Sequence, residues 1–554
     1  MAEFDRLLEE FFGFWWRENP TQATAAGVHV HDGELERQDE ASRAERALRY
    51  REYLHRFEDH APRDVGEEID RALVTDRLRW ELYELEEVRS FARNPLVYLD
   101  GPLTALFLMA VRGYAPAQDR ARRAAERLAA LPRVFEEARA NLTAAAPVFV
   151  ATAVEVARSG LVLLERVLPL HLGVALEDDV AQFAEWELAL RTGEAALVSF
   201  ARWLEEELLP RAAAGHALGR AAFEAKLRYA HGLPYDAGEL LVFGESLKRD
   251  AERALAEVAA VLGGRNWREL VDRLKADHPP ADGLLEAYRR SVGAARAFVL
   301  ERELVSVPGG EELEVVPTPE YLRPLIPYAA YQPPAPHEVE QRGLFFVTPP
   351  PAGAEEEVLR DHCSYAIPVT ALHEAYPGHH LQLVWSNRAE TEPRRVFGTP
   401  VFAEGWALYC EELMWEAGFY RDLRERLFQL KDLLWRACRV VVDIGLHTRG
   451  WTVDRAVEYA YETTHKFPDR RIFLVGEIIH NPHVNARMRE MGIEFLYPDE
   501  RGRFDFSGIA PEDVVIIPAF GVTLHDFQRL RALGCILVDT TCGSVLNVWK
   551  RVES

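Results

Sequence analysis

The period of the hydrophobic pattern changes along this chain, and that change limits what it can fold into. Up to about residue 300 the period is helical: Phe4, Leu7, Leu8, Phe11, Phe12 and Trp15 recur at the i, i+3, i+4, i+7 spacing that gathers them on one face. Long Ala/Arg/Glu/Leu segments follow, over residues 118–140 and 177–209, with helix breaks expected at Pro132, Gly160, Pro210 and Gly215. No repeat of fixed period is visible, so an irregular helical domain is expected rather than a solenoid. Residues 305–352 are rich in proline and read as irregular chain with one short strand at 343–347, GLFFV, of the kind that lines a cleft. Helical patterning returns from Leu359 to about Gly450. After Arg470 the runs RIFLVG, VVIIPAF and CILVD are short and wholly apolar, separated by helix-like residues 480–492 and 523–534. That is the βαβ pattern of parallel strands buried on both faces. The expected fold class is therefore mainly α: a large helical domain over residues 1–452, then a small α/β part over 453–554.

Composition narrows the class further. With 554 residues, 48% hydrophobic and 28% charged, the chain can bury a large core and is not disordered. Its net charge of −24 argues against nucleic acid or an anionic membrane surface as a partner. Five scattered cysteines are too few for a disulfide framework in so long a chain, which suits a reducing cytoplasm. The N-terminus, MAEFDRLLEEFF, is acidic where a signal peptide is basic, and no apolar run of about 18 residues is evident. A cytoplasmic protein without membrane contact is expected.

The residues able to do chemistry concentrate in ALHEAYPGHHLQLV, residues 371–384. A His-Glu pair followed by further histidines in a helical context supplies what a zinc hydrolase needs. Imidazoles hold the metal, and a carboxylate beside the open coordination position takes a proton from water. His373 and Glu374 form the pair. In the usual HExxH spacing the second His falls at i+4 on the same helix face, but here that position is Pro377, which cannot ligate. A second ligand from His379 or His380 requires the Pro377-Gly378 step to break the helix. His379 is preferred, because His380 would lie nearly two turns along the same face. Downstream, PVFAEGWALYCEEL places Glu404 in an apolar helical run as the natural third ligand, completing a His, His, Glu set. Glu411 and Glu412 read as a solvated helix face, with a carboxylate supporting a ligand as the lesser alternative.

Two further features bear on catalysis. In VVVDIGLHTRGWT, Asp443 and His447 stand at i and i+4, so His447 could donate to a developing oxyanion and Asp443 orient it. Tyr365, Tyr376 and Tyr409 are possible donors to an intermediate, although core packing with a satisfied hydroxyl is the simpler expectation for each.

The segments HEAYPGHHLQ, FAEGWALYCEEL and DIGLHTRGW, behind a long helical half, resemble the bacterial family called domain of unknown function 885, which is similar to helical zinc metallopeptidases of the gluzincin type. The resemblance covers about residues 1–452. It implies a Zn2+-dependent hydrolase of peptides or small amides, with His373, His379 and Glu404 as metal ligands and Glu374 as general base. Members continue past the DxGLHxxGW segment with further helices and a Tyr-bearing stretch, so the resemblance implies a C-terminally truncated domain here.

The tail resembles a different family. VDRAVEYAYETTHKFPDRRIFLVGEIIHNPHVNARMREMGI, VVIIPAFGV and ILVDTTCGSVLNVWKRV are similar to the N-terminal part of 4-hydroxy-3-methylbut-2-enyl diphosphate reductase, the LytB/IspH family of isoprenoid synthesis. That resemblance implies a [4Fe-4S] cluster on three cysteines, with Cys542 matching the second and His480 matching a diphosphate-contacting histidine. Where the first cysteine belongs, just before VDRAV, this chain reads RGWT, and the third lies in a lobe beyond the matched segment. One thiolate does not hold such a cluster. The sequence thus supports a zinc peptidase carrying a reductase-derived tail, with the reductase itself and a non-catalytic fusion as alternatives.

Overall fold

A computed structural model describes residues 3–319, 328–351 and 355–464, with isolated positions between them. Beyond 464 it describes chiefly 472–476, 493–499, 503–510, 513–517 and 524–539. The chain forms two compact units, Met1–Thr464 and His465–Ser554. It is mostly helical.

In the first unit the helices that matter here are α1 (Glu3–Glu18), α2 (Glu40–Asp59), α3 (Val65–Tyr83), α4 (Ala117–Asn141), α5 (Pro147–Val162), α6 (Val180–Trp203), α7 (Ala237–Val261) and α8 (Leu284–Glu301). The apolar face of α1 is buried as its spacing predicts, with Phe11 and Trp15 packed on Tyr50, Tyr53 and Phe57 of α2. Two of the expected breaks do not occur. Pro132 lies inside α4, whose flanking Leu128, Leu131, Val134 and Phe135 are buried, so packing outweighs the lost backbone hydrogen bond. Gly160 lies inside α5 and is there for closeness: a Cβ would come within 2.9 Å of Leu103. The expectation that no long apolar run exists is also corrected. Pro147–His171, with mean hydropathy 1.6, is long and apolar enough to cross a membrane, and 39% of its apolar window is buried inside the protein. Its isolated charges, Glu155 and Arg158, hide the run from inspection of the sequence.

The proline-rich segment contains more order than expected. Strands β1 (Glu312–Pro317), β2 (Ala329–Gln332) and β3 (Arg342–Val347) form a sheet of order β1-β3-β2, with β1 parallel and β2 antiparallel to β3. Only β3 was legible, because β1 buries one residue, Val315, and β2 is four half-buried residues. Behind the sheet come α9 (Ile367–Glu374), α10 (His379–Asn387), α11 (Pro400–Glu416), α12 (Leu423–Thr448) and α13 (Val453–Thr464). Tyr288, Val292 and Ala295 of α8, Phe345 of β3, Ala371 and Leu372 of α9, and Cys410 and Met414 of α11 share one core. The first unit ends one helix later than the 452/453 boundary. Within it, Arg268 donates to the carbonyl of Thr463 at 2.6 Å, and the hydroxyl of Tyr459 donates to Glu245 at 3.0 Å.

The second unit holds β4 (Ile472–Val475), β5 (Ile493–Leu496), β6 (Val514–Ile517), α14 (Leu524–Ala532) and β7 (Ile536–Asp539). The strands are parallel in the order β5-β4-β6-β7. This is the βαβ arrangement the apolar runs predict, with β5 as an additional strand. His480 and Cys542 lie outside the described residues.

Candidate metal centre

The centre is built on a helix that stops and restarts. Helix α9 ends at Glu374 and α10 begins at His379, so residues 375–378 form the break that the Pro377-Gly378 step demands. The Tyr376–Pro377 bond is cis. The backbone closes tightly here, with Gly378 N–H donating to Leu372 at 3.1 Å and Leu381 N–H to Ala375 at 3.3 Å. A Cβ at residue 378 would fall 1.9 Å from the carbonyl oxygen of His373, so only glycine fits. From α11, Trp406 Nε1–H donates to the Pro377 carbonyl at 2.8 Å. The break returns His379 to His373, their rings 4.7 Å apart and nearly perpendicular.

Glu404, one turn into α11, faces both histidines: its carboxylate oxygens lie 3.7 Å from His373 Nε2 and 3.7 Å from His379 Nε2. One ligand atom from each residue lies within 4.8 Å of the other two, and among the described residues no other such group of His, Cys, Asp and Glu occurs. A tetrahedral ion with ligands at about 2.0–2.1 Å sets them about 3.4 Å apart, so the three fit Zn2+ with little movement. His380 points elsewhere: its Nε2 meets Glu311 at 2.7 Å and its Nδ1 meets the hydroxyl of Tyr331 at 2.9 Å.

Glu374 sits beside the three, and no hydrogen bond engages its carboxylate among the described residues. Burial pushes its pKa up, against the opposing pull of His373 and His379. Glu404 is shifted the other way, held well below the usual carboxylate range by its ion pairs with His373 and His379. For His373 burial pulls downward, but the facing carboxylate of Glu404 and the hydrogen bond to Glu411 outweigh it and raise the imidazole to about 9. A metal must displace that proton. Zinc affinity is therefore expected to rise with pH from about 6.5 to about 9, about tenfold per unit, in competition titrations across that range. In the metal-free protein the sign for folding is opposite. The protonated His373 contributes stability that is complete below about 6.5 and lost as pH rises through about 9.

One carboxylate differs from expectation. Glu411 is not on a solvated face: its side chain is 1% exposed, and its Oε1 accepts from His373 Nδ1–H at 2.8 Å and from Arg436 of α12 at 3.1 Å. This fixes His373 with Nε2 toward Glu404, the orientation a metal ligand needs. The signal was available, since Glu404 and Glu411 are seven residues apart and share a helix face. Nothing in the sequence singles out Arg436. Glu412 does belong to the partly solvated side, paired with Arg426 at 2.5 Å.

His447 does not touch the three ligands. Its Nδ1 accepts from the Leu218 backbone N–H at 3.2 Å, which leaves the proton on Nε2, 3.6 Å from Asp443. Burial lowers its pKa, partly opposed by Asp443. The tyrosines divide: Tyr365 donates to Asp277 at 2.5 Å, Tyr376 donates to Glu311, and Tyr409 is exposed rather than core.

Comparison with known proteins follows the same two-part division. A family profile described as bacterial protein of unknown function (DUF885) matches residues 20–473, and one for LytB protein matches 448–554. The first unit's fold is shared with solved structures: a candidate lipoprotein of unknown function from Shewanella oneidensis aligns at TM-score 0.71 and 22% identity, covering 84% of this chain and 87% of that one. A candidate lipoprotein from Colwellia psychrerythraea aligns at TM-score 0.70 and 17% identity, covering 84% and 86%. In the tail, 4-hydroxy-3-methylbut-2-enyl diphosphate reductases from Cyanothece sp. and Thermosynechococcus vestitus are each 53% identical over 103 residues. That is 19% of this chain, and it spans a quarter of the length of those relatives.

Proposed function

The chain belongs to the DUF885 family of bacterial proteins, and from that premise we propose that its helical unit is a zinc-dependent hydrolase of peptides or small amides. The observation that carries the reading is the convergence of His373, His379 and Glu404 on one point, with Glu374 alongside and free of hydrogen bonds among the described residues. Bound zinc would polarise a carbonyl and make water more acidic. Glu374 then takes the proton from the attacking water and returns it to the leaving amine, a role suited to a carboxylate whose pKa burial has raised. Glu411 and Arg436 hold the His373 ring, and His447, which its i, i+4 spacing from Asp443 suggests as an oxyanion donor, is the residue to test next. The test is metal analysis of the purified protein with hydrolysis of a peptide library. One zinc per chain and activity lost on chelation and restored by zinc are the expected results. Zinc without hydrolysis would favour a non-catalytic fusion.

The reductase activity is not extended to this chain. The four described cysteines, Cys363, Cys410, Cys438 and Cys535, are buried and unpaired. Burial raises each thiol, Cys410 to about 12, where a cluster needs thiolates.

A further inference from the structure

We propose that Glu311, at the mouth of β1 and more than sixty residues before the first ligand, is the positioning residue of this centre. The inference rests on the zinc reading above and deepens it. Glu311 is 2% exposed at its side chain and collects three donors: His380 Nε2–H at 2.7 Å, the hydroxyl of Tyr376, and Arg296 of α8 at 3.0 Å. One of the three, Tyr376, lies within the 375–378 break and another, His380, in the first turn of α10, so one carboxylate ties the break to the helix that follows it. His380 is fully buried and is also held at Nδ1 by Tyr331 of β2 at 2.9 Å, so both of its ring nitrogens are engaged. Helix α10 can then rotate little about its axis, and His379, the next residue back, is presented to His373 and Glu404. Close approach is built in: a Cβ on Gly343 of β3 would lie 2.8 Å from His380 Nδ1 and 2.5 Å from the Tyr331 hydroxyl. With Trp406 gripping Pro377 from α11, the turn is clamped from two sides, and Glu311 touches both Tyr376 in the break and His380 beyond it.

Loss of an outer carboxylate that orients metal ligands costs roughly 10–100-fold in metal affinity. The experiment is zinc affinity by chelator competition on the full chain, with the visible spectrum of the cobalt-loaded protein as a readout of ligand geometry that general destabilisation does not shift. Glu311→Ala is expected to weaken zinc binding by about 10–100-fold and change the cobalt spectrum. Glu311→Gln, whose one carbonyl oxygen can still accept from both Tyr376 and His380, recovers most of the affinity. Should Glu311→Ala not fold, the double variant Tyr331→Phe with Tyr376→Phe removes the Tyr376 bond to Glu311 and the second anchor of His380 with little change of volume, and a several-fold loss is expected. Wild-type affinity and spectrum in the variants, with His373→Ala unable to bind zinc, would overturn the role of Glu311 and leave the metal site standing. Zinc retained by His373→Ala would instead overturn the metal site itself.

Discussion

Glu374→Gln is expected to lower peptide hydrolysis by roughly 10²–10⁴-fold while leaving one zinc per chain. The two effects separate because Glu374 is not among the three converging ligands and makes no hydrogen bond among the described residues. The amide has nearly the shape of the carboxyl, so the buried site is not opened, but it cannot accept a proton. The rate loss corresponds to about 3–5 kcal/mol of transition-state stabilisation. It should appear in kcat with little change in KM, since the group acts on water rather than on substrate binding. A variant that loses zinc together with activity would show that Glu374 is a ligand and not the base.

The largest effect on metal is expected from the ligands. Glu404→Ala is the cleanest variant, because its side chain is two-thirds exposed and its removal takes no packed volume from the core. Zinc analysis should show binding reduced by more than the roughly 10–100-fold that an outer carboxylate costs, with the fold intact. His373→Ala should be equally damaging to zinc binding and also destabilising by about 1–3 kcal/mol, because Glu411 would remain buried with Arg436 as its single remaining side-chain partner. Glu411→Gln belongs between these and the wild type, since it still accepts from His373. Equal zinc content across the series would refute the ligand set.

Some of this was legible without coordinates and some was not. The apolar stripe of α1, the glutamate in the FAEGWALYCEEL run and the βαβ tail all follow from periodicity, which is a local property of the chain. Glu411 was misjudged for the opposite reason. A charged residue on a helix reads as solvent-facing until a partner is found, and His373, its partner, lies 38 residues earlier in the chain. The unbroken α4 shows the same limit: Pro132 is a strong local stop, and burial of its neighbours overrides it.

The sequence by itself determined the mainly helical class, the change to parallel strands after about Arg470, and the chemical types gathered near residue 373, because each is written in spacing and side-chain chemistry. Only the tertiary structure decided which histidine joins His373. His379 and His380 are neighbours of identical chemistry, and the choice depends on how far the chain turns between Glu374 and His379. That turn is set by groups remote in sequence, Glu311 and Tyr331 on one side and Trp406 on the other. Their hydrogen bonds exist once the sheet and α11 have packed around the break, so no local pattern could announce them.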